Sequence, residues 1–371
     1  MRLAVYLLLF IGLGVACGGL GYQKGQTIEA DIHKQVKLSE FFDGYKCVCL
    51  ETTDSNLIGD FTKIELDKEK IYVLDRKQEG VCVYDRKGHY LGKLNKRGRA
   101  PDEYLYIQDF GVWQSDIYCL SSAKLYRYTA HGKFVEAYPL KYQYDAFQML
   151  NDSLIYLYAA KSTDGGYNYV LYNYQNGQIM KQWDPFGKNR HCGGNGSSPF
   201  FRVGKQVFVA EPYIPEINQL TSEGKKVFCK FRFNTREQLP AGYEQMSNDE
   251  LNQALRYKES LLQIKDIHLA GEQLTMISLF FYDGLANRDQ VAQVDLGKGT
   301  FKSIRLNDEI DPQYPFMSHT LRFDGDDLVT FVPALAVIRT KEELGLEIPG
   351  TEMLREDDNP VLVFHHLKQK R

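Results

Sequence analysis

Short apolar and β-branched runs alternate with polar turns along most of the chain. Residues 71–74, 81–84 and 90–94 are three such runs, and Asp85 and Gly88 bound the turn between the last two. Short runs of this kind, separated by Gly, Asp and Asn, are typical of antiparallel strands joined by tight turns. The pattern therefore predicts a meander of short strands in this part of the chain.

The turn glycine recurs at a regular interval. The phrases "YDRKGHYL", "YTAHGKFV", "NYQNGQIM", "LTSEGKKV" and "DLGKGTFK" place it at Gly88, Gly132, Gly177, Gly224 and Gly299, in steps of 44, 45, 47 and 75 residues. Removing residues 240–267 from the last step restores a spacing of 47 residues. A repeat of about 45 residues with four short strands is typical of β-propeller blades.

The segment 240–267 has the pattern of a helix inserted between blades four and five. Ser247 and Glu250 have the spacing of a capping box, which satisfies backbone N–H groups at a helix start. The apolar residues that would share one helical face are Leu251, Ala254, Leu255 and Leu262. A second short helix is predicted after Ile338, where Thr340 and Glu343 form a similar pair.

Strands from both ends of the chain are needed to complete a sixth blade. The late segments "LRFDGDDLVTFVP" and "NPVLVFHHLK" supply some of them, and the early "GYKCVCLET" reads as an unpaired strand that joins them. Closing the ring in this way removes exposed sheet edges. The expected fold is an all-β, six-bladed β-propeller over residues 36–371, decorated by the two helices.

The N-terminus predicts export and lipid anchoring. Residues 1–16 contain Arg2, an apolar run and small residues, which is the layout of a secretory signal peptide. Gly14 and Ala16 suit ordinary signal peptidase, whereas Leu13, Ala16 and Cys17 are similar to a bacterial lipobox with its leucine one place early. Both alternatives predict cleavage before Cys17, and we expect lipidation of that thiol and a tether over residues 17–35. The net charge of −3 gives no electrostatic basis for binding nucleic acid.

Cysteine and histidine spacing predicts neither a disulfide framework nor a zinc site. Cys47, Cys49, Cys82, Cys119, Cys192 and Cys229 are expected to be free thiols, mostly buried in strands. His191 and Cys192 are the one adjacent pair that suggests a metal. No cofactor is expected, while a Ca or Zn ion in the central channel is left open.

The run "LGKLNKRGRAPDEYLYIQDFGVW", together with "DDNPVLVFHHLK", resembles the six-bladed propeller lipoproteins of Bacteroidota, which are related to NHL-type propellers. Their mark is a G-x-G-P-G-E-Y phrase followed by Ile and Asp-Phe. Two of its glycines are replaced here, by Ala100 and Asp102. The resemblance implies an outer-membrane lipoprotein, periplasmic or surface-exposed, that assists in capturing glycans or peptides beside a transporter or other surface lipoproteins.

Candidate ligand contacts lie in loops at one rim of the expected channel. Arg97 and Arg99 could clamp a carboxylate or sulfate, although the same loop could be only a corner fixed by Pro101. Aromatic and acidic side chains complete the predicted ligand set. The further candidates are Asp102, Glu103, Tyr104, Asp109, Tyr142 and Tyr213.

Motifs of common enzyme classes are absent from the sequence. It has no G-x-S-x-G elbow, P-loop, H-E-x-x-H or dinucleotide fingerprint. We therefore expect a propeller that binds a glycan or peptide, or docks on an uptake complex, without catalysis. A hydrolase or metal-dependent lyase with its site at the channel mouth is the alternative, because paired carboxylates need only meet in space.

Overall fold

A computed structural model describes residues 25–159, 166–185, 198–234, 240, 242–243, 246–256, 258–306 and 311–368. In chain order the first strands are β1 (Thr27–Ala30), β2 (Phe42–Cys49), β3 (Phe61–Leu66), β4 (Lys70–Asp75), β5 (Gly80–Asp85), β6 (Tyr90–Leu94), β7 (Asp109–Trp113), β8 (Asp116–Ser121), β9 (Lys124–Tyr128), β10 (Phe134–Pro139), β11 (Ala146–Met149) and β12 (Leu154–Tyr158). The others are β13 (Tyr167–Asn173), β14 (Gln178–Pro185), β15 (Phe200–Val203), β16 (Gln206–Val209), β17 (Glu216–Thr221), β18 (Gly224–Phe233), β19 (Glu259–Ala270), β20 (Gln273–Asp283), β21 (Asn287–Asp295), β22 (Thr300–Arg305), β23 (Thr320–Asp324), β24 (Asp327–Val332) and β25 (Val361–Leu367). The helices are α1 (Asn248–Leu255), α2 (Ala334–Leu344) and a short 3-10 turn at Leu38–Glu40.

The strands form six antiparallel sheets, which are the six predicted blades. Blades one to five are β3–β6, β7–β10, β11–β14, β15–β18 and β19–β22, each in chain order. The first strand of each blade contacts the first strand of the next, and β23 contacts β3, so the six inner strands close a ring around a central channel. The predicted all-β six-bladed propeller is confirmed.

The N-terminal strand completes blade six. This sheet has the order β23, β24, β25, β2, and Cys47 of β2 pairs with Val363 of β25. The early segment predicted to join the last blade therefore does so. Residues of the expected tether also pair, because β1 runs parallel to β18 as a fifth strand of blade four, with Thr27 opposite Lys230.

The turn glycines have the left-handed backbone that their repeat predicts. Gly88, Gly132, Gly177, Gly224 and Gly299 all have positive φ, between 62° and 134°. Close packing also requires glycine at position 88, since a Cβ there would lie 2.1 Å from the carbonyl oxygen of Cys49 in the neighbouring blade. Glycine at this turn is thus required by both conformation and space.

The inserted helix is shorter than predicted. The capping box of Ser247 and Glu250 is present at the start of α1, but this helix covers only Asn248–Leu255. Leu262 and its neighbours belong to β19, the inner strand of blade five, so the helical assignment of residues 259–267 is wrong. Most residues of β19 are buried on both faces, which removes the polar alternation that usually identifies a strand.

The second helix lies within blade six, between β24 and β25, as expected. It begins earlier than predicted, at Ala334 after Pro333, and Thr340 lies inside it, so the pair of Thr340 and Glu343 is not its cap. Gly345 ends α2 in the left-handed conformation with φ of 63°. Nowhere in the described ranges is a helix long and apolar enough to cross a membrane.

Candidate functional site

Each inner strand begins at the same end of the channel, which we call the upper mouth. The loops from an outer strand to the next inner strand lie at this end, as do the loops between second and third strands. The Tyr104 hydroxyl in the first kind of loop donates to the Glu79 carbonyl in the second kind, at 2.8 Å. Side chains of the inner strands and of these loops therefore form the candidate site.

Lys63 and Asp109 join blades one and two beside the channel. The Lys63 Nζ donates to Asp109 Oδ1 at 2.7 Å and to the Phe110 carbonyl at 2.7 Å. Asp109 also accepts the backbone N–H of Phe147 in blade three, at 3.1 Å. Burial alone would lower the pKa of Lys63, but the charges of Asp109 and Glu65 outweigh it and raise that pKa. Lys63 therefore stays charged and ties three blades together.

A second charged group joins blades one, five and six. Arg322 on β23 pairs with Glu65 on β3, and Asp266 on β19 accepts the Phe323 N–H at 2.7 Å. Burial would raise the pKa of Glu65, but Arg322 and Lys63 outweigh burial and lower it. Burial dominates at Asp266 and raises its pKa to about 6. The middle of the channel is thus lined by opposite charges fixed across blades.

Asp289 holds an exposed histidine at the upper mouth. Its Oδ1 accepts Lys265 Nζ at 2.7 Å and Thr320 Oγ1 at 2.9 Å, and its Oδ2 lies 3.1 Å from His319 Nδ1. Asp289 is 1% exposed, whereas the His319 side chain is 63% exposed. Burial would raise the pKa of Asp289, but Lys265 and the hydrogen bonds outweigh it and lower that pKa. A buried carboxylate therefore orients an imidazole that faces solvent.

Arg202 and Trp113 lie lower in the channel. The Arg202 guanidinium lies over the Trp113 ring, 4.8 Å from the ring centroid, although the two residues belong to blades four and two. Trp113 Nε1 donates to Asp152 Oδ1 at 2.7 Å, which fixes the ring. Neither residue was predicted from the sequence. The available signal was Arg202 itself, a cation within the otherwise apolar run "PFFRV".

Residues 95–108 join β6 to β7 and form the loop that carries Arg97, which we call the opening loop. It is built as a corner. Arg97 and Tyr104 form a parallel bridge, and Tyr104 Oη accepts the Lys96 N–H at 3.1 Å while donating to Glu79. Glu103 Oε2 accepts the Ala100 N–H at 2.9 Å. Neither Ala100 nor Asp102 has positive φ, so the loop needs no glycine at those two places.

Two of the predicted aromatic contacts, Tyr104 and Tyr213, have buried rings. Tyr104 is 0% exposed and packs edge-on against Tyr128 between blades one and two. Tyr213 is 8% exposed and packs with Leu251 and Leu255 of α1. Burial leaves no ring face for a ligand at either position.

The other predicted residues differ in exposure. Arg97 and Arg99 are exposed on the opening loop, Asp102 and Glu103 are half-buried in it, and Tyr142 is half-buried beneath Lys141. Asp109 alone is at the channel wall, where it holds Lys63. Cys17, His191 and Cys192 lie outside the described residues.

The thiols in the described part of the chain are free, and three of the five are buried: Cys82, Cys119 and Cys229. Burial raises the pKa of Cys47 to about 12 and that of Cys49 to about 11, so neither is a ready nucleophile. Within the same part of the chain, no three His, Cys, Asp or Glu side chains are grouped so that they could hold a metal ion.

The fold and its charged channel define a six-bladed β-propeller whose inner strands carry the candidate site. The chain belongs to the family described as "Domain of unknown function (DUF4934)", which matches residues 26–366. No curated protein matches the sequence.

Two solved structures share the fold. A predicted exported protein of Bacteroides fragilis is 15% identical, with a TM-score of 0.73 over 93% of this chain and 100% of that chain. A member of the DUF4221 family from Bacteroides vulgatus is 10% identical, with a TM-score of 0.51 over 89% of this chain and 98% of that chain. At these identities the similarity establishes the propeller fold alone.

Proposed function

We propose that this protein is a lipid-anchored propeller of the cell envelope that binds a glycan or peptide in its channel without converting it. The observation that carries the proposal is the channel wall, where charged side chains from different blades are held in fixed positions by one another. Lys63 with Asp109, and Arg322 with Glu65, are two such pairs. A rigid polar wall loses little entropy when a ligand binds, which favours recognition.

The upper mouth offers further contacts for the same ligand. His319 is exposed there, and Arg97 and Arg99 are exposed on a loop of the same end. A guanidinium pairs well with carboxylate or sulfate groups, which occur on acidic glycans and peptides. In this proposal the opening loop is a structural corner that presents two arginines, and Tyr104 supports them without touching ligand.

Localisation and partners rest on the N-terminal sequence and on the fold. The signal peptide and Cys17 support lipid attachment to the outer membrane, and the Bacteroides fragilis relative is itself a predicted exported protein. An envelope protein that captures a ligand would act beside an outer-membrane transporter or other surface lipoproteins. The resemblance to NHL-type propeller lipoproteins supports the same assignment.

Two experiments test this function. Growth with an alkyne fatty acid should label the native chain at Cys17 and leave the Cys17→Ser variant unlabelled. The soluble Cys17→Ser protein should show a higher melting temperature with a matching glycan or peptide, since a ligand specific for the native state stabilises it by RT ln(1 + [L]/Kd). No melting shift across acidic and neutral glycans and peptides would contradict ligand binding and favour a docking scaffold.

A second candidate function is a hydrolase or lyase, favoured by the pair of Asp289 and His319. A buried carboxylate that orients an exposed imidazole is the arrangement of a general base. Turnover of any glycan or peptide by pure protein, lost in both His319→Gln and Asp289→Asn, would support this function. Turnover that survives both substitutions would show that Asp289 and His319 are not the catalytic pair.

A further inference from the structure

Arg202 has an unpaired edge that points to a specific ligand group. Its Nε and Nη2 atoms are buried and have no hydrogen-bond partner in the part of the chain that the structure describes. These two nitrogens form one edge of the guanidinium, the edge that makes two parallel hydrogen bonds to a carboxylate. A buried donor without an acceptor is costly, and an incoming acceptor would recover that cost.

The other described cations of the channel already have acidic partners. Lys63 has Asp109, Lys265 has Asp289, and Arg322 has Glu65. Burial lowers the pKa of Arg202 to about 10, with the charge of Glu65 acting in the opposite direction, so the side chain remains a cation at neutral pH. Among the channel cations in the part of the chain that the structure describes, Arg202 is therefore the one without a hydrogen-bonded acidic partner.

The surroundings favour a single negative charge attached to an apolar or ring-shaped body. The charge of Glu65 acts on Arg202, so a ligand with one negative charge should bind more tightly than a dianion such as phosphate. The Trp113 ring, fixed by its bond to Asp152, offers a flat apolar surface beside the guanidinium.

We propose that Arg202 and Trp113 form a carboxylate-binding site in the channel, which receives the acidic group of a sugar acid or acidic peptide. This inference rests on the proposed function and specifies its ligand class. The carboxylate could come from a free small acid or from a larger ligand, and the two sources differ in how much of Trp113 they cover.

Trp113 gives a direct signal for occupancy of this site. The chain has two tryptophans, Trp113 and Trp183, so a Trp183→Phe variant reports on Trp113 alone. We would titrate this variant with acetate, glucuronate, glucose and phosphate at constant ionic strength and record its emission. Acetate and glucuronate should each give a saturable change, phosphate should bind more weakly, and glucose should give no change.

The two carboxylates distinguish the source of the group. Glucuronate binding at least tenfold more tightly than acetate would identify a ligand-borne carboxylate whose ring contacts Trp113. Equal affinities would identify a site for free small carboxylates, which retains the anion site but overturns the assignment to a larger ligand.

Substitution of Arg202 provides the control. In the Trp183→Phe background, Arg202→Gln should weaken carboxylate binding at least tenfold, and Arg202→Lys should give an intermediate loss because it keeps the charge without the fork. Arg355→Gln, at a side chain that is 70% exposed, should change nothing. Lack of a saturable response to either carboxylate in folded parent protein, or unchanged affinity in Arg202→Gln, would overturn the site.

Failure of this site and failure of the proposed function are distinguishable. A glycan or peptide that still raises the melting temperature of Arg202→Gln as in the parent would retain ligand binding and remove this site. Carboxylate binding at Trp113, with no glycan or peptide that raises the melting temperature, would support this site and contradict the proposed function.

Discussion

The buried imidazole of His365 should make the folded protein sensitive to mild acid. His365 lies on β25, is 0% exposed, and its Nε2 is 3.1 Å from Thr330 Oγ1. Thr330 in turn donates to the Phe316 carbonyl, so the threonine oxygen accepts from a neutral His365. The other ring nitrogen, Nδ1, is buried without a partner, and protonation there would bury an unpaired charge.

The size of the effect follows from the pKa. Burial lowers the pKa of His365 from 6.5 to about 3. Because the pKa is lower in the folded protein, the unfolded chain binds the proton first as the pH falls. The free energy of unfolding is therefore not reduced by His365 above pH 6.5, and it decreases as the pH falls from 6.5 toward 3. Each pH unit within that window costs about 1.4 kcal/mol, or about 2 kcal/mol between pH 7 and pH 5.

Urea unfolding of the Cys17→Ser protein at pH 7 and pH 5 measures this loss. The His365→Leu variant should lose about 2 kcal/mol less than its parent between the two pH values. His131→Leu, at an exposed turn of blade two, is the control, and it should keep the loss due to His365. Asp266, whose raised pKa of about 6 makes acidification stabilising, is common to all variants, so the comparison isolates His365. An equal pH dependence in His365→Leu and its parent would show that the loss of stability does not come from His365.

Three further substitutions test the fold and the site by urea unfolding. Gly88→Ala should lower the free energy of unfolding by at least about 3 kcal/mol, because its Cβ would lie 2.1 Å from the Cys49 carbonyl oxygen. Gly204→Ala, where φ is also positive but the space is open, should cost about 1 kcal/mol. Equal costs would show that the contact with Cys49 does not matter. Tyr104→Phe should lower the free energy of unfolding by about 1–2 kcal/mol, because it leaves the Lys96 N–H and the Glu79 carbonyl unpaired. Tyr106→Phe, at a side chain that is 37% exposed, should cost less than about 0.5 kcal/mol. No loss of stability in Tyr104→Phe would show that these hydrogen bonds do not stabilise the corner. Asp109→Ala should cost about 3 kcal/mol or more because Lys63 would lose its hydrogen-bonded partner and keep only Glu65, 3.4 Å away, and because the Phe147 N–H would lose its acceptor; a smaller loss would show that the channel pairs are not structural ties.

The repeat was predictable because it depends on local backbone chemistry. A glycine at each blade turn adopts positive φ, and that requirement is visible in the residue type itself. The extent of the inserted helix was not predictable in the same way. The apolar residues of β19 are buried on both faces, so their spacing fits a helix and a buried strand equally well.

The channel network could not be read from the sequence because its partners are far apart along the chain. Lys63 and Asp109 are 46 residues apart, and Glu65 and Arg322 are 257 residues apart. Such pairs depend on which blades become neighbours around the ring. The exposure of the Tyr104 side chain could not be predicted either, because a tyrosine in a loop can either face solvent or pack between blades.

The central claim is that the channel holds an acidic ligand and returns it unchanged. The most direct measurement is equilibrium dialysis of the Cys17→Ser protein with the acidic glycan or peptide that most raises its melting temperature, followed by mass spectrometry of the recovered ligand. We expect saturation at one molecule per chain and recovery of intact ligand. Recovery of a cleaved or eliminated product would instead identify an enzyme, and no retention of any acidic ligand would contradict the binding function.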